Sequence, residues 1–153
     1  MLGQPELLTI RNGIFRPNRG VKGSSWESGV VIYFEPEEFL CKCGRPNCDA
    51  VREINAGFGA LLDNLRQRLD RAVVITSGLR WSYWNDWVGG DAKGGAHMRG
   101  YAADIAVESS RERFDVLRAA FESRFFHRIG VGRTFIHLDT DPTLDQNVVW
   151  LYR

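Results

Sequence analysis

The sequence predicts a single α+β domain, and three observations carry that expectation. Its 153 residues suffice for one domain with a real core and are too few for two ordinary ones. Hydrophobic residues make up 44% and charged residues 25%, the balance of a globular chain. Helical periodicity in two segments is interspersed with short β-branched runs, so both element types are expected in one core.

Residues 1–30 carry scattered Gly13, Pro17, Gly20 and Gly23 without a sustained period, and read as an irregular arm with one short strand at most. The domain proper is expected over 31–153. Val30-Val31-Ile32-Tyr33-Phe34 is a β-rich run ended by Pro36, followed by a turn-rich knuckle from Cys41 to Cys48. From Val51, the residues Ile54, Phe58, Leu61, Leu62, Leu65 and Leu69 follow helical spacing, with Arg52, Glu53, Asp63, Arg66 and Gln67 on the other face. Gly57 and Gly59 weaken that helix by about 1 kcal/mol each, which implies close packing against a neighbour. Ala72 to Thr76 suits a short buried strand, and the glycine-punctuated stretch from Gly78 to Gly100 reads as a long ordered loop. Ala102 to Val107 is a further strand. Ser109 and Glu112 form a capping-box signature that opens a helix with Phe114, Leu117 and Phe121 on one stripe. Arg128 to Gly132, Thr134 to Asp139 and Val148 to Tyr152 complete the strands, the middle one alternating Phe135, His137 and Asp139 against Ile136 and Leu138.

Composition excludes some function classes. Twenty basic against nineteen acidic residues leave a formal charge of +1, far from the basic surplus that a phosphate-driven nucleic-acid binder needs. No apolar run reaches the roughly 18–20 residues required to span a membrane. The first residues, Met1 to Leu8, show no secretory pattern, and three cysteines form no even disulfide framework; a chain made in a reducing cytoplasm is expected.

Chemistry concentrates around the three histidines, His97, His127 and His137. Gly100 allows a tight turn between His97 and Asp104, so a loop histidine can fold back toward a strand carboxylate. His97, Asp104 and His137 are a sound ligand set for a catalytic zinc with one position open to water; the alternative is a hydrogen-bonded structural pair. Asp139 lies two residues after His137 on the same strand face, with Cα atoms roughly 6.5–7 Å apart. It is the candidate to take a proton from water and pass it on, or else a carboxylate that orients a ligand. Asp141 is a weaker candidate. Trp81, Tyr83, Trp84 and Trp87 fall in the long loop, where some are expected to line a groove rather than fill the core. Cys41, Cys43 and Cys48 are one ligand short of a closed zinc site; His127 as a fourth competes with free thiols, the favoured reading.

Several separated motifs occur in one order: Ser77-Gly-Leu-Arg80, Asn85 with Val88-Gly-Gly90, His97-x-x-Gly100-x-Ala102-x-Asp104, and Phe135-Ile-His137. Together they resemble the zinc D-Ala-D-Ala carboxypeptidases and phage L-alanyl-D-glutamate endopeptidases of the hedgehog/DD-peptidase fold. Glu38-Phe39-x-Cys41-Lys42-Cys43-Gly44 is similar to a phage and prophage branch of that family. The resemblance implies a small antiparallel sheet with helices packed on it. It also implies zinc (Zn2+) held by His97, Asp104 and His137, with Arg80 as a clamp for a substrate carbonyl or carboxylate. The implied substrate is the peptidoglycan stem peptide. A phage lysis or virion enzyme is implied, with phage tail proteins as partners and action on the wall after release. Three positions depart from the pattern: Gly95 replaces a serine two residues before the first ligand, and Thr134 and Phe135 stand where relatives carry an acidic residue or a histidine. Those departures motivate the competing expectation of a zinc-binding wall-recognition or structural module without turnover.

Overall fold

A computed structural model describes residues 31–48, 50, 53–90 and 95–152. The expected arm over 1–30, and Val51 and Arg52 at the expected helix start, lie outside the described residues. Helix α1 runs Ala56–Leu69, β1 Ile75–Ser77, α2 Ser82–Trp87, β2 Ala102–Ala106, α3 Ser110–Ser123, β3 Arg128–Val131, β4 Phe135–Asp139 and β5 Val148–Leu151. The five strands form one sheet in the order β1-β2-β4-β3-β5. Four strands pair antiparallel, but β5 runs parallel to β3, so the sheet is mixed rather than purely antiparallel.

The two faces of the sheet do different work because side chains alternate along each strand. Ala103 and Ile105 of β2 stand opposite Leu138 and Ile136 of β4, and all four are buried in the core that α1 and α3 cover. The intervening residues, Asp104 and His137, are also paired across the strands and look to the opposite face.

Helix α1 begins at Ala56, where Asn55 caps it by accepting the N–H of Phe58 at 3.2 Å. A side chain at Gly59 would put its Cβ 2.5 Å from Val31 Cγ2, which confirms the close approach expected of the helical glycines. Ser109 caps α3 through the N–H of Glu112, and Glu112 returns a carboxylate to the N–H of Glu108. Its buried face is Val116, Ala119, Ala120 and Ser123, not the aromatic stripe: Phe114 and Phe121 are 62% and 55% exposed.

Two further expectations fail for identifiable reasons. Residues 31–35 are not a strand, because Asp63 on α1 captures the N–H groups of Ile32 and Tyr33 at 2.6 and 3.0 Å. A carboxylate there substitutes for a neighbouring strand. The loop from 78 to 100 also contains α2, whose short turn of helix folds over the fully buried Asn85 and is stopped by Gly89 in the left-handed region.

Asp141 organises the connection from β4 to β5. It is wholly enclosed, accepts from the Thr143 N–H and hydroxyl at 2.9 and 2.7 Å, and pairs with Arg99 at 2.5 Å. Burial alone would raise its pKa, but the Thr143 and Arg99 hydrogen bonds hold it below the usual carboxylate range. A depressed folded pKa means stability that is present above the unfolded value and lost as pH falls through the folded one. Asp141→Asn is therefore expected to cost about 2 kcal/mol at pH 7 by urea denaturation. The gap to the wild type closes as pH drops below about 4; a gap independent of pH assigns Asp141 no electrostatic role.

Candidate metal centre

Three side chains from separate elements converge on one point. Asp104 comes from β2 and His137 from β4, brought side by side by strand register. His97 comes from the turn before β2, where Tyr101 and Arg99 both donate backbone N–H groups to Ala96. Gly100 closes that turn with φ +78°, and a Cβ there would sit 3.0 Å from the Glu53 carbonyl. His97 Nε2, His137 Nδ1 and Asp104 Oδ1 lie 2.8 to 3.2 Å from one another, and all three residues are buried.

The outer atoms decide what the inner ones are. His97 Nδ1 donates to the Gly78 carbonyl at 2.5 Å, and His137 Nε2 donates to Asp139 Oδ2 at 3.0 Å. Each imidazole thereby spends its N–H outward and turns a lone pair inward. With both rings neutral in those tautomers, two nitrogen lone pairs and a carboxylate oxygen face one another. Such a trio can hold a cation at its centre. Burial would lower the pKa of His137, but hydrogen bonds with Asp104 and Asp139 raise it. Burial lowers His97, while Asp104, despite its own burial, is held well below the usual carboxylate range by its hydrogen bonds with His137 and His97. A tetrahedral zinc with bonds of about 2.0–2.1 Å separates its ligands by about 3.3 Å, so these donors fit the ion in number, kind and spacing.

Arg80 and Asp139 flank the trio, each differently from the simplest expectation. Arg80 places its guanidinium on Asp104 Oδ2 at 2.5 Å and on Ser77 Oγ at 2.9 Å, which leaves Oδ1 for the centre. A β-bulge between Ile75 and Ser77 sets Ser77 opposite Asp104 and makes this contact available. Asp139 sits behind the His137 ring, on the edge away from the other two ligands. Its carboxylate is 1% exposed and receives Arg128 Nε at 2.9 and 3.1 Å as well as the Asp141 N–H. Asp141, the weaker candidate, is occupied by the turn described above. Thr134 is exposed and Phe135 packs its ring against Tyr152, so neither supplies an acid or base.

Sequence reasoning missed the outer edge of the site. Trp150 lies within β5 and Tyr152 just beyond it, with ring centroids 5.3 and 6.2 Å from that of His137. They reach across β3 because Gly130, paired with both His137 and Trp150, has no side chain. Arg128 was missed too: its partner Asp139 is eleven residues away and visible only once β3 and β4 are in register. The loop aromatics lie elsewhere. Trp81 and Tyr83 stack beneath Arg45, and Trp87 is 73% exposed. His127 bonds Asn147 at 2.9 Å and does not join the cysteines.

Valine ordinarily favours a strand over glycine. At Gly130 a Cβ would lie 2.5 Å from Tyr152 Cε2 and 2.8 Å from Trp150 Cε2. Gly130→Val is accordingly expected to destabilise by about 1–3 kcal/mol in urea, with part of the loss recovered in the double variant with Trp150→Ala. Unchanged or improved stability means the aromatic pair does not rest on Gly130.

No curated protein matches this sequence. The family model described as Peptidase M15 matches residues 32–139, a span that holds Arg80, all three converging ligands and Asp139 but ends before Trp150 and Tyr152. That family is zinc-dependent, in keeping with the ligand chemistry of the cluster. By this match, over most of its described length, the chain belongs to the Peptidase M15 family.

Proposed function

We propose that the protein is a zinc peptidase that hydrolyses amide bonds in bacterial peptidoglycan stem peptides, as a D,D-carboxypeptidase or an endopeptidase. The observation that carries this reading is the inward-facing trio of His97, Asp104 and His137, with both outer imidazole nitrogens tied. Zinc held there by His97, Asp104 and His137 would supply an acidified water and Lewis-acid polarisation of a carbonyl. The rest is the work of the chain. The Gly78 carbonyl and Asp139 fix the tautomers of the two histidines. Arg80 neutralises Asp104, and its planar donor fork, 14% exposed, stands beside the centre where negative charge develops on the substrate oxygen. Burial pushes the Tyr152 phenol up, so it stays protonated as a hydrogen-bond donor, and with Trp150 it offers an apolar wall to the stem peptide. Asp139, enclosed between Arg128 and His137, acts as the orienting carboxylate rather than the proton relay.

The setting proposed is a phage or prophage, on the strength of the Glu38-to-Gly44 motif. The enzyme would be made in the cytoplasm and would reach the wall after release or as part of a virion, with tail proteins as partners. A second reading, a wall-recognition module without turnover, is favoured by Gly95, Thr134 and Phe135 together with the enclosure of Asp139.

Purified peptidoglycan digested with zinc-loaded protein and analysed by mass spectrometry tests the first reading against the second. New peptide ends that vanish in His97→Ala are expected, and they name the bond. Intact peptidoglycan with zinc bound at the trio selects the module instead. The role of Asp139 is tested separately: Asp139→Asn is expected to weaken zinc binding about 10–100-fold while kcat recovers at saturating zinc. A kcat that stays lost at saturating zinc restores the proton relay to Asp139.

A further inference from the structure

We propose that Cys41, Cys43 and Cys48 form a second metal site, a thiolate centre for zinc, separate from the His97–Asp104–His137 trio. The three thiols are not joined in a disulfide, are partly exposed, and have their sulfur atoms within 4.8 Å of one another. A tetrahedral zinc with Zn–S bonds of about 2.3 Å sets sulfurs about 3.8 Å apart, so closure asks for about 1 Å of side-chain adjustment at most. Solvent, or a small ligand from it, takes the fourth position.

The backbone is arranged for this convergence. Gly44 turns the chain with φ +66°, and Cys48 donates its N–H to the Arg45 carbonyl at 3.3 Å, which folds Cys48 back toward the other two. Lys42, between Cys41 and Cys43, sends its ammonium to the Ile75 carbonyl at 3.0 Å, leaving the two thiols together on the other side. Cys41 Sγ accepts the Trp81 N–H at 3.4 Å, which ties the knuckle to the start of α2. Three thiolates on a dication leave one negative charge, and the Arg45 guanidinium stacked on Tyr83 at 4.3 Å holds a positive charge on the same knuckle. An odd number of cysteines also suits a shared ion better than a disulfide, which strands one thiol.

The site has a mechanical consequence. Trp81 follows Arg80 directly and caps α2, while Leu79 donates to the Phe39 carbonyl at 2.7 Å. Gly78 approaches the Phe39 backbone so closely that a Cβ there would sit 2.7 Å from it. A metal in the knuckle therefore clamps the β1–α2 turn, the segment that presents Arg80 and the Gly78 carbonyl to the centre.

The test is cobalt substitution in the reduced full-length chain, since sulfur-to-cobalt charge transfer arises from thiolates and not from the nitrogen and oxygen donors of the trio. The expected result is two cobalt ions per wild-type chain with that absorption. His97→Ala keeps the absorption and binds one fewer ion, and Cys43→Ser loses both the absorption and one ion. In the wild type, added zinc is expected to slow alkylation of all three cysteines by about tenfold or more, a readout that needs no variant to fold. Absence of the charge-transfer band, or alkylation at an unchanged rate, overturns the proposal. So does recovery of a disulfide among these cysteines from the zinc-loaded protein. None of these outcomes depends on whether the trio hydrolyses peptidoglycan.

Discussion

Three acceptor atoms aimed at one point form the constraint around which the rest of this structure is arranged. Left alone, two imidazole lone pairs and a carboxylate oxygen at 2.8 to 3.2 Å repel one another, so their convergence has to be held by groups outside it. Those groups are the Gly78 carbonyl, Asp139 with Arg128 behind it, and Arg80 on the far oxygen of Asp104. Each fixes one ligand from its outer side. Removing any one of them frees a ring or a carboxylate to rotate and pair within the cluster, which is the collapse that a preformed cation site must prevent.

The charges around the trio balance within the protein itself. With both imidazoles neutral, Asp104 is matched by Arg80 and Asp139 by Arg128, so the buried assembly carries no net charge before an ion arrives. A dication held there would remain uncompensated by protein and would attract negative charge from its surroundings. Burying the two carboxylates without their arginines would be prohibitively costly. The arginines thus serve the fold and the electrostatics of the site at once.

Much of this was legible in the sequence where the relevant spacing is local. His97, Gly100 and Asp104 fall within eight residues, and Ser109 with Glu112 signals its own cap. His137 and Asp139 share a face by simple alternation. What was not legible depends on register between distant strands. Arg128 against Asp139, and Gly130 between His137 and Trp150, exist only because β3 pairs with β4 on one side and with β5 on the other. The run 31–34 misled for a related reason: its β propensity is real, but the carboxylate of Asp63, thirty residues on, takes the hydrogen bonds a neighbouring strand would have offered. Phe114 and Phe121 share a stripe at helical spacing, yet both are exposed. Small residues, Ala119 and Ala120, let α3 lie close on its neighbours instead.

The parallel pairing of β5 separates two properties that usually arise together. The ligands come from the turn before β2 and from the central strands β2 and β4, whose antiparallel register sets distances among them. The aromatic wall comes from β5, an edge strand that touches the ligands only through the space left by Gly130. Changes on an edge strand disturb one ladder of hydrogen bonds and leave the central pair intact. Residues 150 and 152 can therefore vary in size and polarity at little cost to the ligand geometry, provided that residue 130 varies with them. A bulkier side chain at 130 requires a smaller one at 150. The converging trio and the aromatic wall are thus carried by different strands, and the contact between them passes over a single glycine.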